Sequence, residues 1–127
     1  MARSTTVFPS DVVPLVQKAL DLDGNAYTIG DVEDLIEKGH AVLWPGPRSV
    51  IVTQIDQSPQ KKTLHFFLAA GVMEEIEAML PSILEWGKSI GCDRAVLIGR
   101  RGWERSFLKE EGWKPTHTVM MRELNHG

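Results

Sequence analysis

The stretch from Thr63 to Gly91 constrains this chain most: an apolar run, TLHFFLAAG, passes directly into a long amphipathic segment, VMEEIEAMLPSILEWGKSIG. Within the second part Ile76, Met79, Leu80, Ile83, Leu84, Gly87 and Ile90 recur at steps of three and four, the period of one helix face. Strand, short glycine turn and helix together predict a helix laid on a sheet. The next apolar run, Arg94–Ile98, then predicts a buried strand parallel to the first, reached by a right-handed crossover. Such a turn is where many α/β proteins hold an anion, because the first amides of a helix carry free N–H groups. The residues oppose that use here. Glu74, Glu75 and Glu77 crowd the first turn, where carboxylates complement the helix dipole themselves and repel a diphosphate. Pro81 falls inside the helical pattern and predicts a kink, or a break with Pro81 opening a second piece.

The segments around this unit fill in a mixed sheet. From His40 onward AVLW, SVIVTQID and TLHFFLA read as three strands, joined through Pro45-Gly46-Pro47 and the polar loop QSPQKK into an antiparallel meander. Two short helices precede them. Ser10 is a natural N-cap for the first, with Pro14 tolerable in its opening turn, and Asp31–Lys38 makes the second, closed by Gly39. Thr5–Phe8 reads as a first strand, WERSFLKEE as a late helix closed by Gly112, and HTVMMREL as a last strand. The expected order is β-α-α-β-β-β-α-β-α-β, an α/β (α+β) arrangement whose mostly antiparallel sheet has helices on both faces.

At 127 residues a single domain, 1–127, is expected, long enough to bury roughly two-thirds of its unfolded surface without staples. No apolar run approaches the roughly 20 residues of a membrane span, and MARSTTVFPSDVV lacks the apolar core of a signal peptide. An intracellular location follows, or one inside the particle to which the chain belongs. One cysteine, Cys92, allows no internal disulfide and reads as a packing residue, while the scattered histidines lack zinc-ligand spacing. A net charge of −3 gives no support to nonspecific nucleic-acid binding.

The order of elements, with SVIVTQID and TLHFFLAAG ahead of the long helix and FLKEEGW near the end, resembles the GNAT (Gcn5-related N-acetyltransferase) fold over nearly the whole chain. FPSDVVPLV is similar to the family's opening. More narrowly, VTQIDQSPQKKTLHFFLAAG, LEWGKSIGC and GRRGWERSFLKEEGW resemble small GNAT-like proteins encoded among the structural genes of tailed phages and prophages. The resemblance implies acetyl-CoA held between the fourth and fifth strands of the family's fold, its diphosphate cradled by an Arg/Gln-x-x-Gly-x-Gly/Ala loop. Leu68–Met73 stands at that place with one turn glycine, no basic or amide residue at its head and three glutamates beyond. Only the backbone amides of Gly71, Val72 and Met73 are left to receive an anion. The family's general-acid tyrosine, aligned on Gly112-Trp113, is replaced by Leu108, which has no proton to donate, and the sole tyrosine, Tyr27, lies in the early loop. General acid help is worth about 10²–10⁴-fold. With the cradle missing too, these departures imply a degenerate domain that is a structural or interaction component of a phage-like particle, in the virion or the host cytoplasm. The alternatives are an active acetyl-CoA-dependent N-acetyltransferase and a non-catalytic CoA or nucleotide binder.

Four tryptophans are many for such a domain. Trp86 and Trp113 are expected in the core. Trp44, ahead of Pro45-Gly46-Pro47, and Trp103, beside Arg100 and Arg101, are the candidate interaction residues, since tryptophan and arginine are enriched at interface hot spots. The partner expected is another protein chain or a second copy, not nucleic acid or membrane. GRRG lacks the spacing of a nucleotide fingerprint. Glu33, Asp34 and Glu37 read as a solvated helix face rather than a base cluster, and His65 as a histidine satisfied by its sheet neighbours rather than a catalytic base.

Overall fold

The computed structural model describes residues 8–22, 26–97, 107–116 and 120–124. The chain divides into two compact units, Met1–Leu97 and Ile98–Gly127. In the first unit, helices α1 (Val13–Leu22) and α2 (Ile29–Glu37) precede strands β1 (Val42–Pro45), β2 (Val50–Gln57) and β3 (Lys62–Ala70), helix α3 (Met73–Ser89) and strand β4 (Arg94–Leu97).

Helix α1 starts later than Ser10. The Val12 amide donates to the Pro9 carbonyl at 3.1 Å, closing a turn, and the helical ladder is entered with Val16 N–H to Val12 O at 2.9 Å. Val16 and Leu20, four apart, are buried on it, and Val12 just ahead of the helix continues the same stripe. Helix α2 starts at Ile29, ahead of the expected Asp31, because Thr28 and Asp31 form a reciprocal cap. The Asp31 amide donates to Thr28 Oγ1 at 3.1 Å and the Thr28 amide to Asp31 Oδ2 at 2.9 Å. This placement corrects one expectation: Glu33 is buried beside Val32, whereas Asp34 and Glu37 are not. Gly39, at φ 79°, ends the helix as its position implied, with the His40 amide returning to Leu35 O at 2.9 Å.

The sheet runs β1-β2-β3-β4. The first two pairings are antiparallel and β3–β4 is parallel, from Thr63↔Arg94 to Phe66↔Leu97. This is the mixed, mostly antiparallel arrangement expected, with the long helix as the crossover. Strand alternation sorts the side chains by face. Val50, Val52, Leu68 and Ala70 join Phe8, α1 and Val32 of α2 in one core. Trp44, Ile51 and Thr53 fall on the opposite face, where Trp44 meets Trp86 of α3 edge-on, ring centroids 5.3 Å apart. The register slips between Val52 and Thr53: Val52 faces Leu68 but Thr53 faces Phe66, so Phe67 is an extra residue, a β-bulge.

Helix α3 runs unbroken through Pro81, so of the kink or break expected there the break does not occur. Pro81 lies on the exposed face, so the Glu77 carbonyl deprived of its partner is open to water. On the inner face Ile76, Leu80, Ile83 and Gly87 are buried. A Cβ on Gly87 would come within 2.7 Å of Leu64 Cδ2, so the glycine lets helix and β3 approach closely. No helix among the described residues is long and apolar enough to cross a membrane.

In the second unit the described part of the late helix is a 3-10 turn, Phe107–Glu111, stopped by Gly112 at φ 91° with the Trp113 amide bonded to Leu108 O at 3.1 Å. Trp113 is half-buried. Of the last expected strand, HTVMMREL, residues 117–119 lie outside the described residues, and residues 120–124 belong to no strand and are exposed, Met120 at 89% and Met121 at 75%. Apolar alternation makes a strand only where a ladder supplies partners for the backbone. Of the first expected strand, residues 5–7 lie outside the described residues, as do Arg100, Arg101 and Trp103.

Candidate functional site

The connection from β3 to α3 is two residues long, Gly71 and Val72. Gly71 holds φ 126°, and a Cβ there would lie 2.4 Å from Ser49 Oγ, 2.5 Å from Ser49 Cα and 2.6 Å from the Arg48 carbonyl oxygen. Only glycine suits both the dihedral and the space. The turn between β1 and β2 is therefore pressed against the head of α3.

Polar groups complete the join. The Val72 amide donates to Ser49 Oγ at 2.8 Å, and the Ser49 hydroxyl donates to Glu75 Oε1 at 2.7 Å. The same carboxylate oxygen accepts from the Arg48 amide at 2.8 Å, and the Arg48 guanidinium stands 3.6 Å from Glu75 Oε2. Ser49 is fully buried. Hydrogen bonds from Ser49 and the Arg48 backbone, with the Arg48 charge adding to them, hold the Glu75 carboxyl below the usual glutamate range. Glu75 thus turns away from the helix axis to bind a distant turn, where the sequence pattern indicated only a complement to the helix dipole.

This geometry does not fit the diphosphate cradle that the resemblance implies at Gly71, Val72 and Met73. The Val72 N–H already has its acceptor, the Gly71 Cα faces protein backbone, and a carboxylate stands beside both. Ser49, Arg48 and Glu75 are the residues that sequence reasoning missed as a group. Nothing in the order of residues links position 49 with 72; the Pro45-Gly46-Pro47 turn was the only visible sign that the chain doubles back there.

Trp44 is half-buried and shares its face with α3; its indole N–H donates to Thr53 Oγ1 at 3.0 Å. His65 lies 3.6 Å from Asp56 through Nδ1 and 6.4 Å from the Phe67 ring, which in turn meets Tyr27 edge-on at 4.9 Å. His65 has sheet neighbours, as expected of it. Cys92 is half-buried beside Leu64, Leu84, Gly87 and Lys88 at the far end of α3. Among the described residues no group of His, Cys, Asp and Glu is arranged to hold a metal ion.

No protein-family model matches the chain, and comparison with curated proteins finds no match. Solved structures do resemble it. A mutant of the BH1408 protein from Bacillus halodurans superposes with a TM-score of 0.67 at 13% identity, covering 91% of this chain and 92% of that one. An acetyltransferase from Trypanosoma brucei gives 0.63 at 13% identity, over 92% and 96% of the two chains. A mutant of TTHA1254 from Thermus thermophilus gives 0.62 at 14% identity, over 94% and 95%. At such identities the likeness establishes the fold, which is GNAT-like.

Proposed function

We propose that this GNAT-fold domain is a structural or protein-interaction component of a tailed-phage-like particle and carries out little or no acetyl transfer. One observation carries the non-catalytic part: the head of α3, where the fold family seats a diphosphate, is engaged by the chain's own Ser49 and Glu75. Leu108 at the place of the family's general acid adds to it. The particle assignment rests on the resemblance of VTQIDQSPQKKTLHFFLAAG and GRRGWERSFLKEEGW to phage structural-region proteins.

In this reading the partner is a protein, either a second copy or a particle component, met through the turn at Trp44-Pro45-Gly46-Pro47 or through Arg100, Arg101 and Trp103. No nucleic acid or membrane is involved, and no cofactor is required. Titration calorimetry with acetyl-CoA is expected to give no saturable heat, and no acetyl group should reach a panel of primary amines. Micromolar binding followed by transfer overturns the proposal; saturable binding without turnover makes the domain a CoA binder. The interaction half is tested by combining Arg101→Glu with Trp103→Ala. A folded variant that keeps its association state and still co-purifies with particles removes that turn from the interface.

A second reading, an acetyl-CoA-dependent N-acetyltransferase, is favoured by the bulge at Phe67. It lies on β3 next to Phe66, which pairs with Leu97 of the parallel strand β4, and the fold family holds acetyl-CoA between its fourth and fifth strands.

A further inference from the structure

The contacts around Glu75 have a directionality that the non-catalytic reading does not need. Three donors from one turn converge on a single carboxylate: the Arg48 amide, the Ser49 hydroxyl and, at longer range, the Arg48 guanidinium. The helix contributes the acceptor and the turn contributes the donors. Ser49 relays the contact onward, since its oxygen also accepts from the Val72 amide at 2.8 Å. One carboxylate thus fastens the β1–β2 turn, the first turn of α3 and the β3–α3 connection to each other.

We propose that Glu75 is an ionisation-dependent latch: as a carboxylate it clamps the turn at residues 45–49 to α3, and on protonation it lets the turn move. A protonated carboxyl is a weaker acceptor than a carboxylate and loses its attraction to Arg48. Apolar contacts also join the two, with Trp44 edge-on to Trp86 of α3 at 5.3 Å. Gly46 packs near Met79 Sδ, and its amide closes the turn on the Ser49 carbonyl at 2.7 Å, but these contacts shape the turn and place it without replacing the three donors. Among the described residues Arg48 is the charged side chain of the turn that faces Glu75; the two-residue connection brings no titratable group, and the helix itself adds Glu74 alongside and Glu77 further on. A guanidinium does not deprotonate in proteins, so the switching group of this pair is the carboxyl. The same turn begins at Trp44-Pro45. If it is the contact surface of the proposed function, a consequence that rests on that reading, association through it weakens in acid.

The test follows the Arg48 and Val72 amides by NMR in the whole chain. In the unmodified protein the Arg48 amide shift is expected to titrate with a midpoint below the ordinary glutamate value of about 4.3, and Glu75→Gln should abolish that titration. Hydrogen exchange at Arg48 and Val72 should accelerate at least about tenfold in Glu75→Ala, with Glu74→Gln unchanged as the control. A titration of Arg48 that survives in Glu75→Gln, or exchange unaltered in Glu75→Ala, overturns the latch. Should Glu75→Ala fail to fold, the acid titration of the unmodified chain decides alone. Sedimentation separates the latch from the functional reading: latch signals present with association unchanged by Glu75→Ala leave the latch standing and remove the turn from the interface.

Discussion

The two ends of α3 make an instructive pair. Both follow or precede a strand of the parallel pair, and both have a glycine with positive φ, Gly71 at 126° and Gly91 at 90°. At the tail the stop is local. The Gly91 amide returns to Lys88 O at 3.1 Å and the Cys92 amide to Gly87 O at 2.9 Å, the paired bonds of a Schellman motif. Lys62 adds a cation at the negative helix end, its Nζ 2.5 Å from the Ile90 carbonyl. Among the described residues nothing lies within 4 Å of a Cβ on Gly91. At the head the glycine faces protein backbone and the fastening comes from side chains of a distant turn. Glycine at the tail answers a dihedral requirement; glycine at the head answers a dihedral and a steric one together.

The largest expected effect separates these two requirements. Gly71→Ala should destabilise the fold by about 3 kcal/mol or more, since the new methyl meets Ser49 and the Arg48 backbone, neither of which can turn aside. Chemical denaturation measures it, and a loss under about 1 kcal/mol would mean that the turn moves freely, breaking the contrast between the ends. Next comes Ser49→Ala, expected to cost about 2 kcal/mol because the part-buried Val72 N–H loses its acceptor and Glu75 a donor. Its effect should combine with that of Glu75→Ala by less than the sum, since both remove one network. The smallest is Gly91→Ala, about 1 kcal/mol, the cost of a left-handed alanine with no clash. A thermal-melt series of the three should therefore rank Gly71→Ala below Ser49→Ala below Gly91→Ala in stability.

The acid behaviour of the head sharpens the comparison from another side. A carboxyl held below its usual range contributes stability that is present above the unfolded-state pKa and is lost as pH falls through the lower folded value. Head and tail should then part company in acid. The Arg48 and Val72 amides lose protection first, while the Gly91 and Cys92 amides, bonded only to carbonyls, are unaffected by that titration.

Much of the fold was legible because its signals are short-range. Apolar residues of α3 at three- and four-residue steps, glycines at 39, 91 and 112 beyond helix ends, and alternating strands each depend on neighbours a few residues away. Helix α2 moved from its expected start because Thr28 and Asp31 form a reciprocal cap, and α1 starts later than Ser10 because a turn closed by Val12 N–H to Pro9 O precedes it. Pro81 does not break α3, because a solvent-facing position, visible only once the helix is docked, lets water take up the lost bond. HTVMMREL carries strand-forming side chains, yet whether residues 120–124 become a strand depends on a partner ladder that propensity does not supply.

The residues alone determined the β3–α3–β4 crossover, the helix stops and the absence of a basic cradle at Leu68–Met73, because each is a matter of residue type at fixed local spacing. Only the tertiary structure decided what Glu75 does. Its partners Arg48 and Ser49 lie 27 and 26 residues away, and their meeting depends on the β2–β3 register, which lays Val50 opposite Ala70 and so places the residues just outside that pair in contact. Hydrogen bonding acts over about 3 Å. A sequence can specify the donors and the acceptor, but the sheet must bring them within that reach.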